Sequence, residues 1–385
     1  MTHRSDRSIS RRQWLGHAAG LGAAMFAPRL LAQPDDEVRL GQSVALTGPL
    51  GELGKAMSQG AQAGFAAANA RGGVNGRRIE LVVRDDGYDV KRSQENLRGF
   101  LADPGLFGLF GCMGTPMIEA LLPLIRNTDV PCFAPLTGAT SARPTDMRNV
   151  FNVRASYPEE TERLVQHLAT IGLKRIAVVH QNNSFGKEVA QAADAAIAKY
   201  GLRAVSTASV ENSGANANDA AQRIAASEPE AVLIGLAGKP TIDFVKSMRG
   251  LRRGLPLYAL SVMGSAATLN ALGDDAYGIA VTQVVPLPSN SVVPVVRDFL
   301  AAWQASGATL APSHLALEGY INARVFIDAL RRLGRDVKRS AFIESTWSLK
   351  RMDLGGFDVS FDKPGRNASR FIELTLIGRG GRFVR

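Results

Sequence analysis

The chain has 385 residues, 45% of them hydrophobic, and a formal net charge of +10. That length exceeds one core and suggests two lobes, and the composition is that of an ordinary globular protein. Five Arg against one Asp fall in residues 1–32, and the remaining +6 is spread along the chain with no basic run interleaved with aromatics, which argues against nucleic-acid binding.

The N-terminus has the pattern of an export signal. Arg11 and Arg12 in SRRQWL are followed by the apolar stretch WLGHAAGLGAAMFAP and then RLLAQ. The Arg pair after Ser10 marks the twin-arginine route, and residues 1–32 are expected to be removed near Ala32. The apolar segment is too short and too rich in Gly and Ala for a spanning helix, which needs about 20 predominantly apolar residues. The mature protein is therefore expected to be soluble and periplasmic.

From Glu37 onward strand-like and helix-like patterns alternate, which predicts parallel sheets covered by helices. VRLGQSVALTG reads as a first strand, and Met57, Ala61, Phe65 and Ala68 recur at helical spacing after it. RIELVVRDD is a second strand, followed by a helix that Asp89 can cap. FGLFGC and VPCFAPL follow as strands around the helix PMIEALLPLIRN. A second set opens near residue 154 with the helix PEETERLVQHLATIG and continues through KRIAVVHQ, RAVSTASV, EAVLIGL, LPLYALS and GIAVTQVVP. Two long helices follow, and the C-terminal stretch from Gly355 reads as short antiparallel strands with Gly-rich turns. A cleft between two such similar blocks is the natural ligand site.

Chemistry-bearing motifs are few. Cys112 and Cys132 each lie in or at the end of an apolar run and read as buried thiols rather than a disulfide. The five His are scattered without metal-type spacing, so neither a cofactor nor a metal is expected. Asp85 and Asp86 are adjacent on a strand and point to opposite faces, so they cannot flank one bond; capping of the next turn is the expectation. His180 has no partner Ser or Cys in motif context and no GxSxG is present, so no catalytic residue is assigned.

The segment Gly111–Pro116 combines a strand end, a Gly turn and a helix start, with Thr115 placed as the cap and Pro116 at the first helical position. A helix start offers unpaired N–H groups and the positive end of the dipole to an anion. Pro135–Thr140 after the neighbouring strand is a second hydroxyl-bearing turn.

The order of these motifs resembles the leucine/isoleucine/valine-type periplasmic binding proteins over roughly residues 38–378. The resemblance rests on ALTGPLGELGKAMSQGAQAGFAAANARGGVNGRRIELVVRDDGYD, GCMGTPMIEALLPL, VPCFAPLTGAT, VVHQNNSFGKEV, ALEGYINARVFIDALRR and GGFDVSFD. It implies an α/β fold of two Rossmann-like lobes joined by a three-crossover hinge, with lobe one at 37–153 and 284–345 and lobe two at 154–283 and 346–385. It also implies a monomeric, non-catalytic subunit that hands a small ligand to the inner-membrane permease of an ATP-driven importer. The same clamp would suit a ligand sensor for a signalling receptor.

By that resemblance the ligand site comprises Gly114 and Thr115, then Thr137, Gly138 and Thr140 in a turn one residue longer than usual, so that either threonine could face the ligand. Phe185 would cover the ligand from lobe two, with Leu53 and Met263 as apolar wall. One departure stands out. Amino-acid binders of the family carry an acid after the last second-lobe strand before the hinge, and here Leu260–Ser265 has none. An uncompensated ammonium there would cost several kcal/mol. A small organic carboxylate, aromatic or branched aliphatic, is therefore expected over a branched-chain amino acid or amide. A periplasmic hydrolase is the rival from another class and lacks an activated nucleophile.

Overall fold

A computed structural model describes residues 37–334 and 337–384; the export signal expected at 1–32 lies outside them. The first sheet has five parallel strands in the order β2-β1-β3-β4-β5: β1 (Glu37–Val44), β2 (Arg78–Asp85), β3 (Leu106–Phe110), β4 (Cys132–Phe133) and β5 (Val150–Phe151). The second holds β6 (Arg175–Gln181), β7 (Arg203–Val210), β8 (Ala231–Gly235), β9 (Leu257–Ala259) and β10 (Ala280–Gln283) in the order β7-β6-β8-β9-β10, all parallel. The two orders are the same topology, which is the duplication expected from the alternating pattern. Two further strands, β13 (Glu373–Ile377) and β14 (Phe383–Val384), extend the second sheet antiparallel from β10.

Helices cover the sheets as the apolar periodicity requires. α1 (Gly51–Asn69), α2 (Val90–Leu101) and α3 (Thr115–Ile125) belong to the first sheet. α4 (Tyr157–Thr170), α5 (Ser184–Lys199), α6 (Ala217–Ala226), α7 (Lys239–Leu251) and the short α8 (Ala266–Leu272) belong to the second. The chain then returns, and α9 (Pro294–Ala305), α10 (His314–Arg331) and α11 (Arg339–Trp347) join the core that holds Phe65, Phe110, Phe133 and Phe151. α10 packs directly on α1 because glycines let the backbones meet: a Cβ on Gly60 would sit 1.8 Å from the Ala316 carbonyl oxygen, and one on Gly319 2.1 Å from that of Met57. Asp89 caps α2 by accepting from the Arg92 N–H, as its position predicts.

The C-terminal boundary differs from expectation. The stretch after residue 346 does not return to lobe two at once. Phe357 and Phe361, beside the hairpin of β11 (Met352–Asp353) and β12 (Asp358–Val359), are buried in the first core, and Phe361 packs on Phe133, Phe151 and Trp347. The return follows Ser369. Aromatic burial in the first lobe decides this, because the hairpin carries its large side chains on that face. At the hinge the first and third crossovers run side by side, with the N–H groups of Ala368 and Ser369 donating to the carbonyls of Asn152 and Val153 at 2.8 Å.

Candidate functional site

The lobes meet over a small cavity. Leu50 and Leu53 at the start of α1, Tyr88 after β2, and Met113, Gly114, Thr115 and Leu136 line it from the first lobe, while Tyr157, Phe185, Ala237 and Val262 line it from the second. In this closed form the cavity holds only about 20 Å³, room for about one water molecule. No acidic or basic side chain lines it.

The arrangement is closed. The Pro49 carbonyl in lobe one accepts from the Lys239 N–H at the start of α7 at 3.1 Å, and Glu188 on α5 accepts from the Thr140 N–H. One buried apolar cluster runs without a break from Val44 and Leu53 through Tyr157 and Phe185 to Leu233. This continuity across a cleft is what a clamp needs for its closed state to be a defined minimum.

The polar end is built around α3. Gly114 occupies the cap position with φ +100°, where a Cβ would meet the Tyr88 ring at 2.8 Å, and Thr115 is the first helical residue. The expected capping by Thr115 is absent: no side chain caps this helix, and the Thr115 hydroxyl lies 2.7 Å from that of Thr137. Both residues are fully buried. Thr137 also accepts from the Ala139 N–H at 3.1 Å, which leaves its orientation fixed. The first turn of α3 thus has no side-chain cap, and Gly114 and Thr115 at its start line the cavity.

Behind this end stands a buried charge cluster. Arg143 lies wholly inside, donating to the carbonyls of Ala139 (2.7 Å), Arg154 (3.1 Å) and Thr137 (3.3 Å), and burial lowers its pKa to about 10. Arg154 at the hinge pairs with Glu160 of α4 at 3.1 Å and with Glu318 of α10 at 3.5 Å. Burial would lower its pKa, but Glu318 and Glu160 reverse that and raise it. Glu160 also accepts from the Ser261 N–H at 2.9 Å and the Thr282 hydroxyl at 2.7 Å. This cluster backs Tyr157, whose ring lies 5.7 Å from the Arg154 guanidinium and 5.0 Å from the Phe185 ring.

Most sequence-assigned positions come together here, with two exceptions. Gly114, Thr115, Leu53 and Phe185 line the cavity. Thr137 stands directly behind Thr115, and Gly138 packs against Tyr157, its carbonyl accepting the Tyr157 N–H at 2.7 Å. Thr140 does not enter the cavity: its side chain is exposed at the rim, where the chain turns into a 3₁₀ segment. Met263 is buried in the second lobe's own core, and Val262 forms the wall instead. An irregular loop carries no periodicity to fix which neighbour faces in.

Tyr88 and Tyr157 are additional wall residues. Tyr88 follows Gly87 with φ +63°, held by Asp86, which accepts its N–H at 2.9 Å. Asp86 and Asp85 act as the expected turn caps, Asp85 accepting from the N–H groups of Leu46, Thr47 and Gly87. Tyr157 could have been found from Ser156 and Glu159, which form a capping box that fixes the start of α4. Cys112 and Cys132 are free and buried, and burial pushes the Cys112 thiol up to about 12.

Comparison with known proteins agrees with this fold. A family model described as periplasmic binding protein matches residues 37–381. A substrate-binding periplasmic protein from Ralstonia solanacearum is 31% identical with a TM-score of 0.85, over 90% of this chain and 99% of that one. A possible leucine/isoleucine/valine-binding protein from Rhodopirellula baltica SH 1 is 28% identical with a TM-score of 0.84, over 92% and 98%. The Leu/Ile/Val-binding protein homolog 7 of Brucella suis biovar 1 (strain 1330) is 23% identical over 367 residues, 90% of each chain.

Proposed function

The chain belongs to the periplasmic binding protein family, and from that premise we propose that its cleft receives a small organic carboxylate with an apolar or aromatic far end. The cargo passes to the permease subunits of an ATP-driven importer, and the protein works as a monomer without a cofactor. The carrying observation is the character of the lining: hydroxyls and an uncapped helix start at one end, apolar walls elsewhere, and no charged side chain. Thr115 and the first N–H groups of α3 meet the carboxylate, Thr137 orients Thr115, and Leu50, Leu53, Phe185 and Val262 enclose the rest.

The names of several relatives point to branched-chain amino acids. An α-ammonium in this closed cavity would find no carboxylate partner, and burying it unpaired costs several kcal/mol. Delivery to the periplasm uses the twin-arginine signal around Arg11 and Arg12.

A thermal-shift screen over aromatic acids, short aliphatic acids, their amides and amino acids tests the reading. Stabilisation by an acid, lost with its amide, is expected. Tight binding of leucine or valine with the corresponding deaminated acids inert would overturn it.

A further inference from the structure

Behind the hydroxyl end of the cleft, Arg143 holds a buried charge to which no carboxylate among the described residues bonds. Its acceptors are three carbonyls, those of Ala139 at 2.7 Å, Arg154 at 3.1 Å and Thr137 at 3.3 Å. We infer that Arg143 is the positioning residue that makes the Thr115–Thr137 end of the cleft select an anion, acting through the 137–140 turn without touching the ligand. This rests on the carboxylate reading of the cleft and names the source of positive charge that the lining itself lacks.

The placement follows from the local chain. A 3₁₀ turn at Thr140–Ala142 curls the backbone, the Arg143 N–H donating to the Thr140 carbonyl at 2.9 Å, and the side chain folds back beneath the segment just before it. There the guanidinium pins two peptide groups, the one between Thr137 and Gly138 and the one between Ala139 and Thr140. Neither is cis, and a trans peptide points its N–H opposite to its C=O. Both groups therefore turn their negative ends to Arg143 and their positive ends away from it. The Thr140 N–H shows what such an end attracts: it donates to a carboxylate, that of Glu188 from the second lobe. The same turn carries Thr137, whose hydroxyl lies 2.7 Å from that of Thr115 on the cavity wall.

The nearby carboxylates are engaged elsewhere. Glu160 and Glu318 both pair with Arg154, and Glu159 completes the capping box of α4. Burial and then the charge of Arg154 lower the Arg143 pKa to about 10, which leaves the group protonated at neutral pH. A charge in the interior is weakly screened and acts well beyond contact distance. A ligand carboxylate at Thr115 would answer it, and an uncharged ligand would not.

The test compares benzoate, isovalerate and isocaproate with their amides by calorimetry, weak amides being titrated in competition, in the wild type, Arg143→Gln and Arg143→Lys. The acid-to-amide affinity ratio should fall about tenfold in Arg143→Gln, the order expected of one charge roughly 10 Å away in a protein interior. It should persist in Arg143→Lys. A residue that only braced the turn would weaken acid and amide alike. An unchanged ratio in Arg143→Gln, or an equal fall in Arg143→Lys, therefore overturns the inference. If Arg143→Gln does not fold, Arg143→Lys and the wild type decide. Titration of the wild type in two buffers of different ionisation enthalpy, at about pH 5.5 where the free acids are ionised, should show no proton taken up with the acid; uptake would overturn the inference. A wild type that binds none of the three acids, or prefers the amides, fails the carboxylate reading itself before any variant is made.

Discussion

The hydroxyls of Thr115 and Thr137 lie 2.7 Å apart, one in the first turn of α3 and the other in the turn after β4. Each fixes the other, so the pair behaves as one recognition element rather than two. A hydrogen bond to a charged group contributes roughly 1.5–3 kcal/mol, so Thr115→Val should weaken carboxylate binding about 10- to 150-fold. Thr137→Val should act through Thr115, and the double variant should lose much less than the sum. Calorimetric titration of the four proteins measures this, and additive losses would separate the two roles.

Closure depends on the contact of Gly238 with Pro49. Gly238 has φ +61°, and a Cβ there would lie 2.4 Å from the Pro49 carbonyl oxygen across the cleft. Gly238→Ala should therefore disfavour the closed state in which the Lys239 N–H reaches that carbonyl. Apparent affinity should fall in proportion to the closed fraction, and small-angle scattering should give a larger radius of gyration at subsaturating ligand.

Glu160 holds Arg154, Ser261 and Thr282 together at the hinge with no exposure to solvent. Glu160→Ala leaves Arg154 with the longer ion pair to Glu318 and its hydrogen bond to the Ser261 hydroxyl, and breaking a buried pair costs about 3–5 kcal/mol. Removing Glu344, whose pair with Arg148 is largely exposed, should cost less than about 1 kcal/mol. Urea unfolding of both variants gives the comparison.

His314 makes stability pH-dependent. Its folded pKa is depressed to about 3 by burial, against about 6.5 in an unfolded chain. Between those values the unfolded state binds the extra proton, so stability falls as pH drops below about 6.5. His167 shifts the same way more weakly, again through burial. The melting temperature should fall between pH 6.5 and 4.5 in the wild type, and His314→Phe should flatten most of that slope.

Export should fail when Arg11 and Arg12 are both replaced by Lys. Immunoblots of cell fractions should then show full-length precursor retained inside. Normal periplasmic amounts would reject the twin-arginine reading.

Much of the architecture was legible because two kinds of periodicity alternate along the chain and because Asp89 and the Gly-rich turns punctuate them. Thr115 was reachable from a strand end, a Gly turn and a helix start, whereas Leu53 and Phe185 were assigned through the family resemblance. Tyr88 was not, since its position depends on a positive φ that Asp86 stabilises and that no local pattern announces. Met263 was assigned in place of Val262 because a loop gives no period to separate neighbours. The boundary near residue 346 was missed because the hairpin's allegiance is set by contacts with Phe133 and Phe151, some 200 residues earlier in the sequence.

The packing of α10 on α1 sets the order in which the molecule can be assembled. During synthesis the five parallel strands of the second lobe are all present once residue 283 has emerged. The first lobe, although it begins the chain, has to wait for Gly319 to close against Met57 and for Ala316 to meet Gly60. The α1 face of the lobe that begins the chain therefore stays uncovered while its neighbour already has its parallel strands to fold. Destabilising α10 should consequently slow maturation of the N-terminal half while sparing the middle of the chain.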